Sequence, residues 1–376
     1  MKYKFKITFN LNKNTQKNFL EKAYYLDENI LKITFKKNLV IIDTKKKINY
    51  KKIKNLILKY LNSILETDKR FTEEIIYESK WKMPNLKKDP YIILLKKNYI
   101  KKISNGVFSV EGDLLKLKEY LDKSLLNLIS KSEYQNIKYS GIIPLNSIID
   151  NKYLRSFPNH CIFVSNIKRD FNAINQVSKL KKNNAKKLKN NLSSPLEILS
   201  PTVCFNCFET FKNKKIKKPI KITAIENCHR YESLNYKKLE RLKVYSMREW
   251  IFLGNKNFVQ INLADLIKKF KKIFDAWKLK FRICTASDPF FSNKDIQKKI
   301  FQYSNRLKYE LQIYLPFEKK WLAVASFNNH LDTIVKSYNI QFNNKKKIFS
   351  GCVGVGYERL LYGYFCQKGL NGLWKK

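Results

Sequence analysis

Each strand of one predicted β-hairpin carries an arginine and a glutamate, which could bind an anion together. In the segment NCHRYESLNYKKLERLKVYSMREWIFLG (227–254), Arg230 and Glu232 precede a basic loop, and Arg248 and Glu249 follow it. Alternate residues of a strand share a face, so Arg230 points the same way as Glu232, and Glu249 points away from Arg248. Ionised groups that converge from adjacent strands suit a bound anion better than a packed core. A surface hairpin with cross-strand salt bridges is the alternative.

A further arginine stands in an apolar run near the carboxyl end of the chain. Arg359 lies within GCVGVGYERLLYGYF (351–365). The Gly-x-Gly pattern resembles a nucleotide fingerprint, but the βαβ spacing of a dinucleotide site does not follow it. An arginine at the start of an otherwise buried helix needs an anionic partner, which a triphosphate would supply. The two segments together favour a binding site for a nucleoside triphosphate.

The spacing of apolar residues predicts the elements that position these side chains. Helices are predicted over 51–66, 112–131 and 261–281, and strands over 3–9, 31–43, 306–316 and 319–329. We expect a loop after the turn at Pro144, a solvated helix or loop over 178–194, and a terminal helix opened by the Gly-rich stretch from Ser350.

Length and composition predict a folded protein of two domains. The chain has 376 residues, of which 44% are hydrophobic, enough to form one large and one smaller core. We place a small α/β domain of unknown role at 1–104 and a catalytic domain at 105–376. The formal net charge of +45 indicates either attraction to a polyanion or a compositional skew without a binding function.

The distribution of apolar residues and cysteines indicates a cytosolic protein. No run of 18 uncharged apolar residues occurs, and the first ten residues alternate lysine with apolar residues, so neither a membrane span nor a secretory signal is predicted. The seven cysteines form no regular framework. In a cytosolic chain they are expected to be reduced core residues or metal ligands rather than disulfides.

Several linked motifs resemble the class II aminoacyl-tRNA synthetases. The hairpin with Arg-x-Glu and the late Gly-x-Gly-x-Glu-Arg helix look like motifs 2 and 3 of that class. Seven segments occur in the order found in the seryl-tRNA-synthetase-like amino acid:[carrier protein] ligases, and next in the atypical zinc-dependent seryl-tRNA synthetases: PTVCFNCF, NCHRYES, MREWIFLG, ASDPFF, KYELQIYLP, VASFNNHLD and GCVGVGYERL. The resemblance implies an α+β fold with a mixed, mainly antiparallel sheet flanked by helices, and a homodimer.

The resemblance also implies a zinc ion bound by two cysteines and a glutamate. The matching positions are Cys204, Glu232 and Cys352. Zinc is usually four-coordinate, so two thiolates and a carboxylate from three segments leave one coordination position open, as in a catalytic rather than a structural zinc site. The open position would accept the amino group of the substrate. Cys207 and Cys228 are the alternatives to Cys204.

The resemblance also implies which residues contact ATP and Mg²⁺. By resemblance, Arg230 grips the α-phosphate of ATP and Arg359 the γ-phosphate, Arg241 is a further phosphate ligand, and Glu249 faces the nucleotide. Glu310, Ser326 and Asn328 are the expected contacts to Mg²⁺ or substrate. Arg230, Arg359 and Glu310 form the predicted catalytic set.

The resemblance implies two activities, which differ in the molecule that accepts the activated amino acid. Residues 1–100 lack the long helical hairpin that binds tRNA in most seryl-tRNA synthetases. We therefore predict transfer of a small amino acid from its adenylate to the phosphopantetheine thiol of a carrier protein, an acidic partner that a basic chain would attract. An atypical zinc-dependent seryl-tRNA synthetase, which charges tRNA, is the alternative.

Overall fold

The computed structural model describes residues 1–7, 11, 13–70, 73–83, 86, 88–130, 132–291, 296–342 and 346–370. In these ranges the strands are Lys2–Lys6 (β1), Ile30–Lys36 (β2), Leu39–Thr44 (β3), Ile75–Glu78 (β4), Ile100–Ser104 (β5), Val107–Val110 (β6), Gln135–Lys138 (β7), Ile142–Pro144 (β8), Phe163–Val164 (β9), Glu197–Leu199 (β10), Lys215–Ile216 (β11), Ile220–His229 (β12), Val244–Gly254 (β13), Phe281–Thr285 (β14), Lys308–Leu315 (β15), Lys320–Leu331 (β16), Gln341–Phe342 (β17) and Phe349–Gly356 (β18).

The α-helices in the described ranges connect and cover these strands. They are Lys13–Ala23 (α1), Tyr50–Arg70 (α2), Pro90–Lys96 (α3), Gly112–Leu126 (α4), Leu145–Asp150 (α5), Tyr153–Ser156 (α6), Phe171–Ser178 (α7), Val203–Thr210 (α8), Lys256–Ala276 (α9), Ile296–Ser304 (α10), Thr333–Ser337 (α11) and Tyr357–Lys368 (α12). None of them is long and apolar enough to cross a membrane.

One large sheet organises most of the chain. Its eight strands run in the order β4-β14-β15-β16-β18-β13-β12-β7. Neighbours pair antiparallel except β12 and β7, which are parallel. The sheet is therefore mixed and mainly antiparallel, as predicted. The predicted hairpin is the β12–β13 pair, in which Cys228 lies opposite Tyr245.

Helices cover one face of the large sheet and bury its main core. The buried leucines of α4, including Leu117 and Leu121, pack in the same core as Phe270 of α9 and Leu360 of α12. Their spacing of three and four residues gives each helix one apolar stripe. The opposite face carries a second, smaller core with α8.

The amino-terminal residues form a separate unit with its own core. Strands β1, β3 and β2 make an antiparallel sheet, and α1 and α2 pack on it through residues between Phe5 and Ile64. Beyond this unit, Leu94 and Ile100 already pack in the core of the large sheet, and β4 pairs with β14. The division at residue 104 stays a prediction.

The structure differs from the sequence prediction in the Gly-rich stretch. Residues from Phe349 to Gly356 form β18 in the middle of the sheet, and the terminal helix begins only at Tyr357. Glycine is rare in strands, but here close packing requires it. A Cβ at Gly351 would lie 2.8 Å from Val259 Cγ1 and 2.9 Å from the Asn328 carbonyl oxygen. The loop expected after Pro144 was also wrong, because α5 and α6 lie there.

Arg248 is a structural residue, and its replacement tests that role. Its Nε donates to Asp122 Oδ1 at 2.6 Å, its side chain is 4% exposed, and Tyr357 donates to the same carboxylate. Arg248→Met should lower the free energy of unfolding by about 2–4 kcal/mol, because it leaves Asp122 without its cation. Urea unfolding measures this loss. Arg306→Met, at an exposed ion pair, should change it by less than about 0.5 kcal/mol, and an equal loss in both would contradict the assignment.

Candidate active site

The register of the large sheet gathers the predicted site residues on one face. Across the sheet Glu249 lies opposite Gly354, Gly354 opposite Ser326, and Ser326 opposite Glu310. Directly opposed residues share a face. Two residues further along the same strands, Cys352 lies opposite Asn328. Because side chains alternate between the two faces of a strand, this pair lies on the same face as Gly354 and Ser326.

A cavity of about 1020 Å³ opens over this face. Its lining includes all the residues predicted from the sequence to act in the site: Cys204, Arg230, Glu232, Arg241, Glu249, Glu310, Ser326, Asn328, Cys352 and Arg359. The structure thus brings together five separate segments of the chain. Their individual roles stay predictions.

Two cysteines and a glutamate converge at the inner end of the cavity. One ligand atom each of Cys204, Glu249 and Cys352 lies within 4.8 Å of the others, and all three residues are buried. Cys204 is in the first turn of α8. Thr202, at the N-cap position of that helix, does not cap it, because its hydroxyl donates instead to Glu249 Oε1 at 2.5 Å.

This cluster has the properties of a metal site. In the described part of the chain, Glu249 Oε2 is buried without a hydrogen-bond partner, and an orphaned carboxylate oxygen is costly unless a cation meets it. Burial, and then the charge of Cys352, raise the pKa of Glu249. The Cys352 thiol also accepts from Asn328 Nδ2 and approaches His330 Nε2, both at 3.5 Å. Two sulfurs and a carboxylate fit a zinc-type donor set.

The glutamate of this cluster is Glu249, whereas the ligand set expected from the sequence has Glu232. The Glu232 carboxylate accepts from Arg241 at 3.0 Å. Strand β12 ends at His229, so the alternation that placed Glu232 on the site face does not continue to residue 232. The alternatives Cys207 and Cys228 are buried but are not part of the three-residue group found in the described chain.

Three arginines, Arg230, Arg241 and Arg359, line the same cavity. Arg359, in the first turn of α12, donates from Nε to the Glu240 carbonyl at 2.6 Å. Burial, and then repulsion by Arg241 and Arg230, hold the pKa of Arg359 below its ordinary value. Burial, followed by the charges of Arg230 and Arg241, lowers the pKa of His160 to about 3. A bound polyanion would relieve this repulsion.

The residues expected to contact magnesium lie near a partly buried ion pair. Asn328 Nδ2 donates to Ser326 Oγ at 3.1 Å, and Ser326 faces Glu310 across the β15–β16 pair. Lys308 Nζ lies 3.8 Å from a Glu310 oxygen and 2.7 Å from Asp288. Glu310 is thus held beside a cation but keeps access to the cavity.

Sequence reasoning missed three residues that shape the site. Tyr245 lies under Arg230, whose guanidinium is 5.6 Å from the ring centroid, and the alternation of β13 that placed Glu249 could have identified it. Thr202 orients Glu249, and His330 contacts Cys352. His330 sits at a register shift between β16 and β18, for which the sequence offers no signal.

A family model for the class II tRNA synthetase core domain (G, H, P, S and T) matches residues 190–366. That segment contains every predicted site residue. The type-2 serine–tRNA ligase of Methanocaldococcus jannaschii is 25% identical over 308 residues, which are 78% of this chain and 59% of the relative. The amino acid–[acyl-carrier-protein] ligase 1 of Bradyrhizobium diazoefficiens is 27% identical over 288 residues, 75% of this chain and 86% of the relative.

The chain spans about half to three fifths of the serine–tRNA ligases that it matches, such as 52% of that of Methanopyrus kandleri. Among solved structures, M. kandleri SerRS in complex with A. aeolicus tRNASec aligns with a TM-score of 0.72 at 19% identity, over 98% of this chain and 74% of that chain. Cytoplasmic serine–tRNA ligase from Naegleria fowleri, in complex with AMP, aligns with a TM-score of 0.61 at 11% identity, over 84% and 74%. The chain therefore has the class II aminoacyl-tRNA synthetase fold, and its residues 190–366 are similar to the core domain of that class.

Proposed function

We propose that the protein activates a small amino acid with ATP and forms its aminoacyl-adenylate. The observation that carries this proposal is the meeting of two opposite sites in one cavity: an anionic cluster of Cys204, Glu249 and Cys352, and a cationic cluster of Arg230, Arg241 and Arg359. An amino acid has an amino group, which can ligate a metal ion once it has lost a proton, and a carboxylate, and ATP has a polyphosphate. The two clusters would orient these groups so that the carboxylate meets the α-phosphate.

We assign a zinc ion to the anionic cluster. Cys204, Glu249 and Cys352 would hold it with three ligands, and the fourth position would bind the α-amino group of the substrate. Thr202 fixes one oxygen of Glu249, so the other oxygen is left for the metal. Asn328 and His330 contact the Cys352 sulfur and would orient it as outer-shell partners do.

The cationic cluster would bind and polarise the triphosphate. Arg230 and Arg359 donate to main-chain carbonyls, contacts that leave their charge uncompensated. In the proposed complex Arg230 faces the α-phosphate and Arg359 the γ-phosphate, where positive charge stabilises the transition state. Magnesium, expected for this class, would be held with help from Glu310.

The acceptor has two candidates, and we propose tRNA as the first. The structural similarity to M. kandleri SerRS covers 98% of this chain and so includes the amino-terminal domain. The relatives from M. jannaschii and M. kandleri are serine–tRNA ligases, which makes serine the first candidate substrate. The predicted carrier protein is the second candidate, because the chain is 27% identical to the carrier-protein ligase and 25% identical to the serine–tRNA ligase from M. jannaschii.

Product formation with each acceptor distinguishes these candidates. With ATP, magnesium and radiolabelled serine at physiological salt, we expect labelled tRNA and little labelled thioester on a phosphopantetheinylated carrier protein. Binding assays discriminate poorly, because both acceptors are polyanions and the net charge of +45 attracts either. The apo carrier protein, which lacks the thiol, is the matched control. Label that appears on the holo carrier, is released by hydroxylamine and is absent from tRNA would establish the second candidate instead.

A further inference from the structure

The end of helix α1 reaches from the amino-terminal domain onto the loop of the β12–β13 hairpin. Glu21 Oε1 accepts from Arg241 at 2.9 Å, and the Glu21 carbonyl accepts from Asn235 Nδ2 at 2.9 Å. Just beyond the helix, the Tyr25 hydroxyl donates to the Tyr231 carbonyl at 3.3 Å. One short segment of the amino-terminal domain thus contacts the hairpin loop at three places.

The same segment also contacts a second wall of the cavity. Lys22 Nζ donates to the Phe290 carbonyl and, at 3.0 Å, to the Phe291 carbonyl. The rings of Tyr25 and Phe291 meet edge to face, with centroids 5.6 Å apart. Phe290 lines the cavity, as does Arg241. The segment therefore contacts two loops that both line the cavity.

At this junction Arg241 is already paired with protein carboxylates, in the way that it would pair with a bound anion. Arg241 pairs with Glu21 and Glu232, and the side chains of these three residues are only 25%, 27% and 11% exposed. Burial alone would lower the pKa of Arg241, but Glu21 and then Glu232 raise it above its ordinary value. Two carboxylates already compensate the one guanidinium. A triphosphate that reached Arg241 would meet the charge of Glu21 in a partly desolvated place.

We propose that Glu21 is a positioning residue that holds Arg241 in the absence of ATP, and that the triphosphate displaces it. This inference rests on the proposed function, because it takes ATP as the ligand of the arginine cluster. It follows that docking of the amino-terminal domain and binding of ATP oppose each other. By linkage, each must weaken the other to the same extent.

The test compares Glu21→Gln with Glu28→Gln in the full chain. Glu28 is exposed on the same domain, so its replacement removes an equal charge at a neighbouring position. For Glu21→Gln we expect the dissociation constant for ATP, measured by calorimetry, to fall about threefold to tenfold, as the loss of a competing half-buried ion pair predicts. Glu28→Gln should match the wild type. The KM for ATP should fall with kcat unchanged, a split that a purely structural role would not produce.

The reciprocal measurement is hydrogen exchange in α1. Addition of ATP should speed exchange over Lys13–Ala23 in the wild type, and by much less in Glu21→Gln, where the contact is already weakened. Equal or weaker ATP binding by Glu21→Gln, or slower exchange in α1 with ATP, would overturn the inference and leave the proposed function standing. A zinc-loaded wild type that binds no ATP would overturn both.

Discussion

Replacement of Arg230 or Arg359 with alanine is expected to lower amino-acid-dependent ATP–pyrophosphate exchange by about 10²-fold to 10³-fold, the usual effect of removing one preorganised group that stabilises developing charge. Both guanidiniums lie in the cavity, and the pKa of Arg359 is lowered first by burial and then by its arginine neighbours. The fold should survive, since each alanine relieves repulsion in the unliganded site.

The control for this prediction is Arg306→Ala. Arg306 is 59% exposed in a surface ion pair with Glu74, so exchange should stay close to that of the wild type. Circular dichroism and thermal unfolding would show that each variant is folded. A folded Arg230→Ala or Arg359→Ala protein with exchange within tenfold of wild type would remove that arginine from the proposed mechanism.

The second large effect concerns the metal. The purified wild type is expected to contain about one zinc per chain, as a three-ligand site would hold. Glu249→Gln and Cys352→Ser should each lower metal affinity by more than the roughly 10–100-fold typical of an outer-shell change. The reason is that each change removes one of only three converging donors. Plasma emission spectrometry and a competitive chelator titration measure content and affinity.

Glu232→Gln is the matched control, because Glu232 lines the same cavity but pairs with Arg241. It should keep its zinc. Zinc lost from Glu232→Gln and retained in Glu249→Gln would reinstate the ligand set predicted from the sequence. Equal zinc in the wild type and in Cys352→Ser would contradict the site altogether.

The local pattern of the hairpin was sufficient to predict part of the site. The period of two placed Glu249 and Arg248 on opposite faces of β13, and the apolar run around Arg359 correctly indicated a buried helix start. Both are short-range properties that one strand or one helix carries by itself.

The contacts that the sequence did not predict join segments that are far apart in the chain. Glu249 reaches Cys352 only because β13 pairs with β18 in the register that sets Ile251 opposite Cys352. The sequence of neither strand predicts that register. The resemblance to the family indicated Glu232 as the metal ligand, and no local pattern distinguishes it from Glu249, which lies beside Cys204 and Cys352. The contact between Glu21 and Arg241 joins residues 220 apart in sequence, which no local pattern predicts.

The most direct test of the central claim is ATP–pyrophosphate exchange by the zinc-loaded protein over the twenty amino acids. The account predicts exchange that requires magnesium and depends on a small amino acid, with serine first and glycine or alanine next. It also predicts that the corresponding α-hydroxy acid, which lacks the amino group for the metal, fails to support exchange. Absence of exchange with every amino acid, from a folded protein that contains zinc, would contradict it.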